Sequence, residues 1–277
     1  MQFTHNQQQR LKEIGADFDS GESFASAQER ESAFKDLERS CIDRNRKALH
    51  GFKAQGKAPF VNALSEEISS LLRGLGFLEV STPITISKTF LERMSIDDEH
   101  ALFKQVFWLD DKTCLRPMLA PNLYDISNRL LKVFDRPLGV FEIGPCFRKE
   151  SQGNKHLESF TMVNFVEWGV EESTKVQRLE ELACKFMNHV GLSDYSLQKE
   201  DSVVYGDTVD VVVGDDVEIA SGAFGPHPLD VNWGYEGTWL GLGAGLERIV
   251  MVREGLDTIQ KAARSLMYVG GVSLKLK

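Results

Sequence analysis

Apolar and polar positions change rhythm repeatedly along this chain, and each change marks an element. Over residues 6–50 apolar positions are sparse (Leu11, Ile14, Phe24, Phe34, Leu37 and Ile42) in a polar, charged background. That spacing predicts two or three exposed helices rather than a core element. GFKAQGKAP at 51–59 has the glycines, proline and lysines of a linker, which puts a boundary near residue 60. Residues 60–75 place apolar side chains at 60, 61, 64, 68, 71, 72 and 75, a helical period that Gly76 stops. FLEVSTP (77–83) reads as a short strand ending at Pro83, and LFKQVFWL (102–109) with TCLRPM (113–118) as a hairpin turning at Asp110-Asp111-Lys112. Residues 120–134 look helical. Two strands follow, VFEIGPCFR (140–148) and FTMVNFVEW (160–168), then a charged helix over 171–190. TVDVVV (208–213) and VEIASGAF (217–224) flank a turn at Gly214-Asp215-Asp216, and the glycine-rich strand WLGLGAG (239–245) runs straight into the helix LERIVMVREG.

Strands here mostly join to strands through turns, with helices at the edges or between strand groups. This lacks the strand–helix–strand alternation of a doubly wound sheet. The expected class is α+β, a mainly antiparallel sheet flanked by helices.

Composition narrows this picture. The 277 residues (31.1 kDa) suffice for one large domain, or a medium one with a small appendage. A net charge of −9 argues against wide non-specific nucleic-acid binding, which needs a basic face, though a local basic patch is compatible with it. Residues 1–60 carry 10 Lys/Arg against 9 Asp/Glu, so they are less acidic than the whole. Cys41, Cys114, Cys146 and Cys184 form no CxxC pair and the histidines do not cluster, so reduced thiols without a metal are expected. No apolar run approaches a bilayer span, and MQFTHNQQQRLKE has no apolar signal core. A cytoplasmic protein with no membrane contact is expected.

Candidate chemistry concentrates in CFRKESQGNKHLESFTMVNF (146–165). Arg148 ends one strand, where a guanidinium can fork two phosphate oxygens. Phe160 opens the next, where a ring can stack on a purine. Lys149, Glu150, Lys155, His156 and Glu158 lie between them around a flexible Ser-Gln-Gly-Asn. The segment reads equally as an exposed charged hairpin loop. In LGLGAGLER (240–248), Gly241, Gly243 and Gly245 share one face of a strand, which can admit a flat ligand against the backbone, and Arg248 can reach a phosphate. Tight sheet packing is the alternative. The spacing is neither a P-loop nor a dinucleotide fingerprint. Glu218 and Ser221 lie three apart on a strand and face opposite sides unless a bulge intervenes; together they could hold Mg²⁺ against a phosphate, or simply belong to a solvated hairpin. RPMLAPNLY (116–124) offers an apolar wall with one hydroxyl, equally explained by core packing. No nucleophilic triad or HExxH stands out. Phosphate-binding arginines and carboxylates without a nucleophile suit phosphoryl or nucleotidyl transfer.

Together these segments resemble the class II aminoacyl-tRNA synthetases: EVSTP (79–83) their first motif, FRKES with HLESF (147–160) the second, GAGLER (243–248) the third. LRPMLAPNLY (115–124), FEIGPCFRKES (141–151), FTMVNF (160–165), VVYGDTVDV (203–211) and ARSLMY (263–268) are similar to the catalytic domain of the pyrrolysyl-tRNA synthetase family. The resemblance covers roughly residues 55–277. It implies a class II synthetase fold over 55–277, tRNA-contacting helices over 1–54, and the stand-alone catalytic form of the family, a separate N-terminal tRNA-binding polypeptide being a possible partner. It further implies ATP and Mg²⁺ as cofactors, tRNA(Pyl) as partner and a homodimer. The implied reaction is activation of L-pyrrolysine and its transfer to tRNA(Pyl). An enzyme that loads an amino acid elsewhere, and a catalytically silent relative, are the alternatives; the joint presence of Arg148, Glu218 and Arg248 speaks against the latter.

By that resemblance Arg148 grips the ATP α-phosphate, Glu150 touches the adenine, His156 contacts the outer phosphates, Leu157 borders the nucleotide, and Phe160 stacks on the adenine ring. Arg248 clamps the other ring face and the γ-phosphate side, so that Arg148 and Arg248 are the catalytic pair, while Glu218 and Ser221 hold Mg²⁺. Asn164 hydrogen-bonds the side-chain amide carbonyl of pyrrolysine and Tyr205 caps the pyrroline ring. Met118, Leu119, Ala120, Leu123, Tyr124, Ser127, Val166, Trp168, Gly222, Ala223, Trp239 and Gly241 border the amino-acid tunnel. Ser127 stands where the family usually has leucine or methionine, Ala244 where GFGLER is usual, and Gly222 and Trp168 also depart from common choices. Ser127 shortens one wall, so a wider pocket, or one shaped by Trp168, is expected.

Overall fold

The computed structural model describes residues 1–149, 157–202, 204–214 and 217–277. In chain order its elements are α1 (His5–Ile14), α2 (Ala27–Ala54), α3 (Phe60–Gly74), β1 (Leu78–Glu79), β2 (Thr85–Ser87), α4 (Lys88–Arg93), α5 (Ala101–Lys104), β3 (Thr113–Leu115), α6 (Ala120–Leu130), β4 (Leu138–Phe147), β5 (Ser159–Trp168), α7 (Lys175–His189), β6 (Tyr195–Ser202), β7 (Gly206–Val213), β8 (Val217–Gly225), α8 (Asp230–Trp233), β9 (Trp239–Gly245), α9 (Leu246–Arg253), a 3-10 turn at Ile259–Lys261, β10 (Tyr268–Val269) and β11 (Val272–Ser273). They form two units, one of Met1–Phe60 with Gln260–Lys277, the other of Val61–Ile259.

In the first unit, α1 opens with a capping box. Thr4 Oγ1 accepts from the Gln7 backbone and Gln7 Oε1 from the Thr4 backbone, so two orphan donors are satisfied. Gly15 closes the helix with φ of 73°, a left-handed cap. The helices here are not merely exposed: Phe3, Leu11, Ile14, Phe24 and Cys41 make a small core of their own. Asn45 seals it by donating to the Ile14 carbonyl at 2.8 Å. The C-terminal tail joins this unit, with Ser273 Oγ donating to the Glu13 carbonyl at 2.8 Å and Lys275 pairing with the Glu13 carboxylate at 2.9 Å.

The second unit is built on a seven-stranded sheet of order β1-β4-β5-β9-β8-β7-β6. β1 runs parallel to β4; every other pairing is antiparallel. The class is α+β, as the turn-joined strands predict. Period-two alternation sorts the side chains: Val163 and Phe165 go to a buried face where Phe77 and Phe186 pack on Phe165 at 5.7 and 6.0 Å, while Met162, Asn164, Val166 and Trp168 go to the other. α7 covers the first face at β8 and β9. Apolar burial on that face favours the fold.

One expected hairpin forms only at its turn: the Leu109 backbone donates to the Thr113 carbonyl and the Leu115 backbone to the Phe107 carbonyl, both at 2.9 Å. Its first arm is cut short because residues 101–104 are helical, and β3, which bridges to Trp108 at Cys114, also pairs with β2 (Ile86 opposite Cys114). The apolar run 102–109 suits a strand locally, but tertiary packing buries Leu102 and Val106 in a helical turn and loop instead. β6 has no strand pattern of its own; its polar residues form an edge, paired only to β7.

Candidate active site

The site rests on a buried polar joint. Arg116, 1% exposed, donates to Glu142 Oε1 at 2.7 Å, to Thr82 Oγ1 at 2.9 Å and to the Pro145 carbonyl at 2.8 Å. Thr82 donates to both Glu142 oxygens, at 3.1 Å from its backbone and 2.6 Å from its hydroxyl. Asn122 ties the start of α6 to the same place, donating to Thr82 Oγ1 at 2.7 Å and the Pro83 carbonyl at 2.9 Å. Burying this ion pair is costly, and the full set of hydrogen bonds offsets that cost. Gly144 lets the guanidinium pass, since a Cβ there would lie 2.2 Å from Arg116 Nη2.

The joint aims Arg148. The Arg116 carbonyl accepts from the Phe147 backbone at 3.0 Å, and the next carbonyl, Pro117, accepts from Arg148 Nε at 2.9 Å. The guanidinium then lies over the Phe160 ring, 5.4 Å from its centroid, at the rim of a cavity of about 880 Å³. That volume is in the range of small-molecule sites.

The sheet register builds the cavity wall in rungs. Asn164 pairs with Gly243, Gly243 with Ser221, and Ser221 with Asp210. The next rung toward the rim sets Met162 opposite Gly245; toward the blind end, Gly241 lies between Val166 and Ala223, and Trp168 opposite Trp239. Nothing lies within 4 Å of where a Gly245 Cβ would sit, and the atoms nearest a Gly243 Cβ, on Asn164 and Met162, would be no closer than 3.7 Å. The glycine strand therefore exposes backbone to the cavity. Opposite Val212 the register skips from Ala220 to Glu218, leaving Ile219 as the extra residue of a bulge. The bulge brings Glu218 and Ser221 to the same cavity, satisfying the condition their spacing set. Ser221 Oγ donates to Asp210 Oδ1 at 2.6 Å. Arg248, on the first turn of α9, donates to the Glu218 carbonyl at 2.6 Å, with the carboxylate 3.9 Å away. Buried Glu247 holds α9 to β5 by accepting from the Thr161 backbone at 2.9 Å on both oxygens.

The blind end is aromatic. Tyr124 stacks on Trp233 (5.3 Å, 14°) and meets Trp168 and Trp239 edge-on at 5.1 and 6.0 Å. Tyr205 faces Trp239 at 5.9 Å and His227 at 5.7 Å. Burial pushes the Tyr124 and Tyr205 hydroxyls well above the usual phenol range, so both stay protonated as donors. Burial likewise pushes Cys114 to about 11 and Cys146 to about 12, which leaves neither as a thiolate nucleophile at neutral pH.

The cavity gathers Arg148, Leu157, Phe160, Glu218, Ser221 and Arg248 at one end and Met118, Ala120, Leu123, Tyr124, Asn164, Val166, Trp168, Tyr205, Ala223, Trp239 and Gly241 along the rest. Three expected wall residues are displaced. Gly222 points to the opposite face, where a Cβ would meet Leu179 of α7 at 3.1 Å, because it lies one residue off the Ser221–Ala223 alternation. Leu119 and Ser127 are fully buried and do not reach the cavity. The Trp168 indole lines it, packed on Tyr124 and Tyr235, in keeping with the second of the two expectations, a pocket shaped by Trp168. Glu150, Lys155, His156, Asp215 and Asp216 lie outside the described residues. Sequence reading passed over Glu142 and Asp230. Glu142 carried a signal, a carboxylate within the apolar strand VFEIG, whereas Asp230 carried none.

No helix among the described residues is long and apolar enough to cross a membrane. No group of three or more His, Cys, Asp or Glu among them is placed to hold a metal.

Residues 44–269 match the family model of the tRNA synthetases class II core domain (F). The fold is similar to the crystal structure of pyrrolysyl-tRNA synthetase from Desulfitobacterium hafniense, with a TM-score of 0.90 and 45% identity over 99% of each chain. A second pyrrolysyl tRNA synthetase structure from that organism gives a TM-score of 0.87 and 44% identity over 99% of this chain and 95% of the other. Among curated proteins, the threonine–tRNA ligase of Wolbachia sp. subsp. Drosophila simulans (strain wRi) is 28% identical over 166 residues, 56% of this chain. The chain spans 25% of that ligase's length.

Proposed function

This chain belongs to the class II aminoacyl-tRNA synthetases and, among them, to the pyrrolysyl-tRNA synthetase family, and on that premise we propose that it activates L-pyrrolysine with ATP and transfers it to the 3′ end of tRNA(Pyl). The observation that carries the reading is the single cavity with Arg148, Phe160 and Arg248 at one end and an aromatic blind end at the other, joined at Asn164.

In this reading the nucleotide lies on the exposed glycine strand, its adenine between Phe160 and Arg248. Arg148 faces the α-phosphate. The pyrrolysine carboxylate attacks the α-phosphorus in line and pyrophosphate leaves. Positive charge fixed beforehand at Arg148 stabilises the charge that develops, without reorganisation at the moment of reaction. A ribose hydroxyl at the tRNA 3′ end then attacks the adenylate carbonyl. No side chain is needed as nucleophile. The oxygen donors Glu218 and Ser221, gathered by the bulge, suit a hard cation, and they would hold Mg²⁺, which neutralises phosphate charge when bound. Asn164 would meet the amide carbonyl of the substrate side chain and Tyr205 would cover its ring. Glu150 and His156 would complete the nucleotide contacts. We assign the helices of residues 1–54 to tRNA contact. A homodimer, cooperation with a separate N-terminal tRNA-binding polypeptide and a cytoplasmic location complete the proposal.

The test is pyrrolysine-dependent pyrophosphate–ATP exchange, followed by charging of tRNA(Pyl). Exchange without charging would point to another acceptor, and absence of exchange would overturn the reading.

Two substitutions probe the cavity. Asn164→Ala should lower discrimination between pyrrolysine and amino acids lacking the side-chain amide by roughly tenfold, the scale of one buried hydrogen bond. Equal discrimination in the variant would sink the role of Asn164. Gly243→Val should raise the ATP KM by at least about tenfold, since a branched side chain would fill the space over the exposed backbone. An unchanged ATP KM would remove the glycine strand from the nucleotide site.

A further inference from the structure

Asp230 is 3% exposed, and no ion pair to it is present among the described residues. It sits on α8, outside the cavity lining, yet two of the three groups that donate to its carboxylate, Tyr124 and Trp239, belong to that lining. Oδ1 accepts from the Tyr124 hydroxyl at 2.8 Å and from Trp239 Nε1 at 3.0 Å. Oδ2 accepts from Trp239 Nε1 at 2.9 Å and from the His227 backbone at 2.7 Å. Tyr124 comes from α6, 106 residues away, and Trp239 from the first residue of β9. α8 also supplies Trp233, whose indole stacks on the Tyr124 ring. The same short helix thus fixes Tyr124 by its face and by its hydroxyl. Gly225 leaves room for the Trp239 indole, since a Cβ there would lie 2.0 Å from its nitrogen.

A buried carboxylate is costly, and a hydrocarbon floor of similar volume could fill the space without that cost. Three donors from separate segments converge here, and a carboxylate, being acceptor-only, can satisfy all of them.

We propose that Asp230 is a positioning residue for amino-acid selection: it sets the rotamers of Tyr124 and Trp239, and so the length and shape of the blind end. This rests on the reading of that end as the amino-acid pocket. The substrate class it selects is a long side chain ending in a ring, held by orientation of the aromatic walls rather than by contact with Asp230.

The test is Asp230→Asn in the full chain, followed by pyrophosphate–ATP exchange with each substrate varied in turn. The amide keeps the shape but cannot satisfy three donors. The pyrrolysine KM should rise about tenfold, with the ATP KM and the kcat at saturation within about twofold of wild type, the signature of lost uniform binding. Tyr124→Phe should raise the same KM by about threefold, and the double variant should fall short of the product of the two effects. Should Asp230→Asn fail to fold, Tyr124→Phe alone carries the test. Equal changes in both KM values, or none, would overturn the role. Exchange by the wild-type chain with and without pyrrolysine tests the pocket assignment separately: its absence sinks that assignment, while its presence with unshifted variants sinks only the role of Asp230.

Discussion

Arg148→Ala should abolish measurable pyrrolysine-dependent pyrophosphate–ATP exchange, with kcat/KM falling by a factor on the order of 10³. The expectation follows from its place. The Arg148 Nε is committed to the Pro117 carbonyl, and the guanidinium lies over Phe160 at the cavity rim. A group fixed in this way neutralises developing charge without paying for its own reorganisation. Arg148→Lys separates charge from geometry. A point charge on a flexible stem lacks the planar fork, so it should restore only a small part of the rate. Near-normal exchange by either variant would remove Arg148 from the chemistry.

The largest effect on stability is expected at Arg116. Arg116→Ala leaves Glu142 buried with its charge uncompensated, which costs about 3–5 kcal/mol. Thermal unfolding followed by circular dichroism should move down by on the order of 10 °C. Glu142→Gln should cost less, because the amide still accepts from Arg116. The joint replacement Arg116→Met with Glu142→Leu should recover much of the stability without restoring exchange. Arg148 would still be present in that variant, but the segment carrying the Pro117 carbonyl would have lost its anchor at Thr82. A midpoint shift below about 2 °C for Arg116→Ala would show that the joint is not what holds these strands together.

Much of this was legible beforehand because it is local. The strands over 140–148, 160–168 and 239–245 declare themselves by period-two alternation and by turn residues at their ends, and the sheet forms them at Leu138–Phe147, Ser159–Trp168 and Trp239–Gly245. The alternating glycines announce a bare strand face whatever lies opposite. Elements held by distant partners were not legible in this way. The run 102–109 has the composition of a strand, but only its end bonds back to 113–115, and the strand that β3 pairs with is β2. Gly222 differs from its pocket-facing neighbours only by alternation along a bulged strand, so its side could be assigned only once the bulge at Ile219 was placed. Ser127 left open a wider pocket or one shaped by Trp168, because sequence gives a residue's size and not which atoms fill the space beside it.

Local pattern along the chain fixed most of the element types, the α+β class and the presence of two arginines and a glycine strand fit for a nucleotide; the role of Asn164 came from family resemblance alone. Short-range sterics and side-chain chemistry decide those properties within a few residues. It took the folded sheet to show that Glu218 and Ser221 share a cavity, that Glu142 closes on Arg116, and that Asp230 holds Tyr124 from 106 residues away. Each of these is a contact whose existence depends on register and packing across the whole sheet, and no local pattern along the chain encodes which buried donor will meet which acceptor.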